Sequence, residues 1–98
     1  MNLTFSEFGD LLCPYCGHIH IRHKKVELFE RAEDSASGIH TTISDFDTKV
    51  DKDMSDNPSR RRHGLLIHFS CEACPKESVL AIYQHKGNTL LEFKEQPE

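Results

Sequence analysis

Ninety-eight residues with 37% apolar side chains, 8% aromatics and no Trp describe one small domain, residues 1–98, whose core is thin enough to need a metal or covalent staple. The net charge of −4 excludes a chain that is basic throughout. The opening MNLTFSEFGDLLC has no basic stretch followed by a long apolar one, and no apolar run approaches the roughly 20 residues that span a bilayer. The chain is therefore expected to be cytoplasmic and free of membrane, in a compartment where thiols stay reduced.

In chain order, residues 3–8 (LTFSEF) read as a short strand or a lead-in. Cys13-Pro14-Tyr15-Cys16 follows, with Gly17 directly after it. His18 to His23 alternate polar and apolar side chains, which predicts a strand with Ile19 and Ile21 facing inward. Residues 25–31 (KVELFER) extend that strand or turn briefly helical. Residues 64–70 (GLLIHFS) form a further strand, with Leu65, Ile67 and Phe69 on one face, and run into Cys71-Glu72-Ala73-Cys74. Residues 78–84 and 89–94 read as two more strands around a turn at His85-Lys86-Gly87-Asn88.

The middle differs. Residues 32–59 carry seven acidic and two basic side chains, a net −5, with few apolar ones and a strand-like stretch at Ile39–Phe46. Such a segment buries too little surface to offset the entropy of ordering it, so a long, mobile acidic insertion is expected. Its aspartates at 45, 47, 51 and 53 alternate, but Lys49 stands at the third ligand position of a calcium loop and no Gly follows. The rest of the chain is left with +1.

The four cysteines carry the sharpest chemistry. Two residues between cysteines let a tight turn aim both sulfurs at one ion, about 2.3 Å away for zinc. Two such pairs with no odd cysteine, in a reducing compartment, predict one structural ion held by Cys13, Cys16, Cys71 and Cys74. A positive φ is commonly needed after such a pair, and Gly17 supplies it without steric cost. Iron also suits four thiolates, but rubredoxin-like sites sit in more compact, aromatic-rich cores. A structural zinc site contributes roughly 10–16 kcal/mol of apparent binding energy in small peptides, so loss of any one cysteine is expected to unfold most of the domain.

CPYCG and CEAC resemble the two knuckles of zinc ribbons. That resemblance implies a mostly β fold with an antiparallel three-stranded sheet. It also implies a place among proteins of transcription, translation or replication. Two features depart from the ribbon pattern. Fifty-four residues separate Cys16 from Cys71, and Pro75 replaces the Gly that commonly follows the last cysteine.

Two basic clusters flank the predicted strands, Arg22-His23-Lys24-Lys25 and Arg60-Arg61-Arg62-His63. If the ribbon closes they share one side of the sheet. Arg22, Lys24, Lys25, Arg60, Arg61 and Arg62 are then candidate phosphate contacts, with Tyr15, Phe69 and Tyr83 available for stacking on bases. The alternative is solvated surface, neutralised by the acidic insertion. His18 and His20 lack a third ligand and read as exposed strand surface; His18 or His68 is also placed to hydrogen-bond a sulfur.

Enzymatic chemistry is not expected. Neither CxxC pair sits between a strand and a helix, as a thiol–disulfide catalyst requires, and four cysteines close the metal shell. Three functions remain open: a nucleic-acid-associated zinc module, a protein–protein adaptor, and a zinc–thiolate redox sensor.

Overall fold

The computed structural model describes residues 2–94, and among these every regular element is a strand. The strands are β1 (Ile21–Glu30), β2 (Ile39–Ser44), β3 (Asp47–Asp51), β4 (Gly64–Cys71), β5 (Glu77–His85) and β6 (Asn88–Lys94). They form one antiparallel sheet in the order β3-β2-β1-β4-β5-β6. The fold is thus β throughout, but the sheet has six strands where the ribbon resemblance implied three.

The three extra strands have separate origins. β1 is ten residues long, pairs eight of them with β4 and takes Lys24 as an extra residue at a bulge. β2 and β3 come from the acidic middle, which was expected to be a mobile loop. They pair with each other and, through β2, with β1. Ile39 is the residue at which the suspected strand begins.

Two of the connections are two-residue turns with positive φ at both positions. Lys86 (φ 50°) and Gly87 (φ 82°) join β5 to β6, and Asp45 (φ 50°) and Phe46 (φ 63°) join β2 to β3. Positive φ at both central residues matches the right-handed twist of paired strands. Gly87 suits its position; Phe46 does not, and its side chain is fully exposed.

Residues paired across the strands share a face. One face holds Phe29, Leu66, Val79 and Ala81, the buried apolar cluster, with Met54 and Tyr83 packed against it. The same face holds a chain of polar side chains running across four strands. Asp51 Oδ1 lies 2.9 Å from His40 Nδ1, and His40 Nε2 lies 3.0 Å from Glu27 Oε1. Glu27 Oε2 then meets His68 Nε2 at 2.6 Å. The His40 ring stacks on Phe29, with centroids 4.4 Å apart. Glu27 and His40 are both buried, so this chain fastens the β2–β3 hairpin to the centre of the sheet.

The opposite face carries Leu65, Ile67 and Phe69, together on one side as their alternation predicts. Phe93 and Leu80 are buried there, but Leu28, Ile39, Ile43, Val50 and Leu91 remain exposed. The one buried large apolar side chain of β4 is Leu66, on the other face. Ile19 precedes β1 and is exposed rather than turned inward. The lead-in at residues 3–8 contributes a single bridge, Phe5 to Leu11.

Two expected outcomes follow. Burial raises the Glu27 carboxyl, but hydrogen bonds from His68 and His40 and the charge of Lys25 outweigh it, and the group sits below the usual carboxylate range. A carboxyl depressed on folding stabilises the fold above its unfolded pKa, about 4.3, and that contribution is lost as pH falls through the lower folded value. Glu27→Gln is expected to cost about 3 kcal/mol near neutral pH. Urea unfolding across pH should show the difference from wild type shrinking below pH of about 4. Phe46→Gly relieves a left-handed residue with no contacts to lose, so the urea midpoint should rise, by about 0.5–1 kcal/mol in stability.

Candidate metal centre

The first cysteine pair is held by a tight loop. Cys13 N–H donates to His18 O at 3.0 Å and Gly17 N–H to Cys13 O at 2.9 Å. Gly17 has the positive φ (77°) that the sequence predicts for it. The second pair lies where β4 ends, in the turn leading to β5. Pro75 takes the place after Cys74 without preventing the turn. Ala73 N–H points to Cys71 Sγ at 3.4 Å.

Three contacts join the two loops besides sulfur. Glu72 N–H donates to His20 O at 3.2 Å, the Lys76 ammonium lies 4.8 Å from the centre of the Tyr15 ring, and Arg22 pairs with Glu72 at 3.0 Å. The pairing Ile21↔Cys71 then sets the start of β1 beside the end of β4. Fifty-four intervening residues therefore form most of the sheet and return the chain to its starting point.

The four sulfurs all lie within 4.8 Å of one another. Cys13 Sγ is 3.8 Å from Cys74 Sγ, and Cys16 Sγ is 3.5 Å from Cys71 Sγ. A tetrahedron of thiolates around zinc has edges of about 3.8 Å, given a Zn–S bond of about 2.3 Å. The separations exceed a disulfide bond, and all four cysteines are free. The donor set therefore fits one tetrahedral metal ion such as zinc, as the two CxxC pairs predict.

The thiols show why an ion belongs there. The His18 N–H lowers Cys16, but burial and hydrogen bonds with Cys71, Cys13 and Cys74 outweigh it and push the thiol up to about 12. For Cys71, burial is outweighed by the Ala73 N–H, the Cys16 thiol and the Cys74 N–H, which bring it down to about 7. The Lys76 N–H lowers Cys74, but the net shift is upward, with burial the largest opposing cause. Cys71 is drawn toward ionisation while Cys16 and Cys74 are pushed away from it, the pattern of crowded like charges. A central dication removes that repulsion. Main-chain N–H groups from His18, Ala73 and Lys76 complete the site.

The histidines fall elsewhere. His18 Nδ1 accepts from His20 N–H at 3.0 Å, so this pair serves its own loop. His68, expected on the exposed side of its strand or beside a sulfur, is bonded to Glu27 instead. The Glu27–His40 centre was not picked out from sequence. The signal was the alternation of His40, Thr42 and Ser44 against Ile39, Thr41 and Ile43, masked by the acidic segment around it.

The two basic clusters lie at opposite ends of β4. Arg22, Lys24 and Lys25 lie at the cysteine end, and Arg60, Arg61 and Arg62 at the far end, before β4. Six residues of β4 separate Ser70, the partner of Arg22, from Gly64, a span of about 20 Å. Most members are already paired: Lys24 contacts Glu77, Arg61 Nε lies 3.3 Å from Asp34, and Arg62 lies 3.9 Å from Glu33. His85 and Lys86 join the far cluster; sequence reading had marked them only as a turn.

No family model matches this chain, and no curated protein or solved structure matches it.

Removing a metal ion from the four sulfurs should act locally first, and not unfold most of the domain at once as composition alone implies, because the apolar cluster lies on the sheet. Because the sulfurs bind residues 13–16 to the β4–β5 turn while the apolar cluster sits on the sheet, chelation or Cys16→Ser is expected to erase the amide dispersion of residues 11–20 and 71–76 before that of β1, β4 and β5. A loss of several kcal/mol should lower Tm by at least about 15 °C. Native mass spectrometry should find one zinc ion per chain, released together with this loss of dispersion.

Proposed function

We propose that this protein is a non-enzymatic binding module, held by one structural zinc ion, that contacts nucleic acid or the machinery acting on it. The observation that carries the structural role is the convergence of four sulfurs from two loops at one end of the sheet, a set that would fill a tetrahedral shell and leave no position for a substrate. The resemblance of the two cysteine pairs to zinc-ribbon knuckles supports a nucleic-acid setting. So does the gathering of Arg60, Arg61 and Arg62 beside Lys86 at one end of the sheet.

A second reading, a protein–protein adaptor, is favoured by one feature. Leu28, Ile39, Ile43, Val50 and Leu91 leave one face of a single-layer sheet apolar and exposed, and sheets of this kind are normally covered. No partner is implied for this face beyond an apolar surface.

Salt separates the two readings. Zinc-loaded protein passed over immobilised single-stranded nucleic acid should be retained at low salt and released as salt rises, because each phosphate contact releases counterions. Replacing Arg60, Arg61 and Arg62 with Gln should flatten that dependence. Passage through the column without retention even at low salt would favour the adaptor.

A further inference from the structure

Three loops meet at the end of the sheet remote from the cysteines: the β1–β2 connection, the segment entering β4, and the β5–β6 turn. Between them lies a cleft of about 490 Å³ whose lining includes Arg61, Arg62, His63, His85, Lys86 and Glu33. The volume is that of a small-ligand site. Two guanidinium groups and one ammonium face a single carboxylate there, with two imidazoles beside them, so the local excess is cationic.

The cleft is built rather than incidental. Ser59 is buried; its hydroxyl donates to Gln84 O at 2.7 Å and accepts from Arg62 N–H at 3.0 Å. Asn57 Nδ2 donates to Arg62 O at 2.9 Å, and Gln84 N–H donates to His63 O at 3.1 Å. These bonds tie the arginine loop to the end of β5. At Gly64 a Cβ would collide with Asn57 and Pro58, so the loop closes on the strand only because that residue has no side chain. His63 Nδ1 accepts from Arg31 N–H at 3.2 Å, which in the neutral ring leaves the proton on Nε2 as a free donor.

A second cavity of about 340 Å³ shares His85 with the first and is lined by Pro58, Arg60 and Tyr83. Its proline and tyrosine rings offer a flat apolar wall beside the cationic cleft. The Tyr83 hydroxyl donates to Glu92 at 3.1 Å.

We infer that this cleft binds the phosphate of a nucleotide-sized ligand, with Arg61, Arg62, His63 and Lys86 holding the phosphate and the ring of Tyr83 flanking the attached base. The site deepens the nucleic-acid reading, with which it shares its arginines, but does not require it. A concave site of this size takes a compact group, whereas a continuous duplex backbone needs a linear strip. In the free protein Glu33 and Asp34 stand in for the phosphate, 3.9 Å from Arg62 and 3.3 Å from Arg61. Both pairs are exposed and weak, while a phosphate offers bidentate, charge-assisted bonds, so the exchange favours the ligand.

The test uses the zinc-loaded full chain and backbone amide NMR. Inorganic phosphate and adenosine 5′-monophosphate should shift the amides of residues 61–63 and 84–87 saturably, and adenosine should not. Arg62→Gln and Lys86→Asn (asparagine tolerates the positive φ of that turn) should each weaken binding about tenfold, the worth of one charge-assisted partner, with metal content and dispersion unchanged. Glu33→Gln should strengthen it, and Lys49→Gln, on β3, should leave it alone. Competition with the monophosphate by a 5′-phosphorylated oligonucleotide, but not by its unphosphorylated form, would assign the ligand to a chain end. Competition by neither, with the monophosphate still bound, would assign it to a free nucleotide and count against the nucleic-acid reading alone. The inference is overturned if phosphate and monophosphate give no saturable shift at millimolar concentration, or if their binding survives both Arg62→Gln and Lys86→Asn. It is equally overturned if an oligonucleotide binds and neither substitution weakens it, an outcome that leaves the nucleic-acid reading standing.

Discussion

Four thiols gathered within 4.8 Å cannot all ionise unless a cation sits among them. That constraint organises one end of the molecule. It explains why Cys71 is drawn toward ionisation while Cys16 is driven far the other way, and why main-chain N–H groups are aimed at the sulfurs from both loops. It also explains how residues 2–20, with a single bridge among them, keep a defined path. A metal ion held by the four sulfurs would tie them to the β4–β5 turn. The return of the chain after 54 residues is then a closure problem whose entropic cost grows only slowly with loop length, so a long stretch between the two cysteine pairs is tolerable.

A single-layer sheet has a second difficulty. Each strand beyond the centre must be secured to its neighbours without a covering helix to bury it. On the β5–β6 side, apolar contacts suffice, since Val79, Leu80, Ala81 and Phe93 are all buried. On the β2–β3 side, apolar residues are scarce and the fastening is polar: Asp51, His40, Glu27 and His68 link four strands in register. A buried carboxylate is costly unless its hydrogen bonds are complete, and here two imidazoles complete them. The arrangement trades stability for register. A one-residue slip of β2 would turn His40 out of the sheet face and leave Glu27 unpaired.

The two ends of the chain were legible for different reasons than the middle was not. The cysteine spacing states its chemistry directly, and the alternation in GLLIHFS and the Lys-Gly turn mark β4, β5 and β6. The hairpin β2–β3 escaped because its turn is Asp45-Phe46, which lacks the glycine or asparagine that announces positive φ. The net charge of −5 over residues 32–59 argued for disorder, yet the deciding residues were few: His40 reaching Glu27, and backbone pairing along β1. Composition averages over a segment, whereas order there is set by individual contacts. For the same reason, the two basic clusters seemed neighbours on a compact ribbon. One cluster precedes β4 and the other begins β1, which pairs antiparallel with the far end of β4, so the length of that strand separates them.

The acidic residues acquire a role from this geometry that a net charge conceals. Glu33 and Asp34 sit in the β1–β2 connection, where backbone pairing of Asp34 with Arg61 brings them against the arginine loop. Asp34 adopts a left-handed conformation to do so. Exposed pairs of this kind contribute little to stability, so their effect lies elsewhere. They lower the local positive potential that would otherwise draw in any polyanion, while a ligand able to make several directed bonds at once still displaces them. Weak internal pairing of this sort converts a patch that would bind by charge alone into one that selects by shape and hydrogen bonding. A chain with a net charge of −4 can thereby carry a strongly cationic cleft.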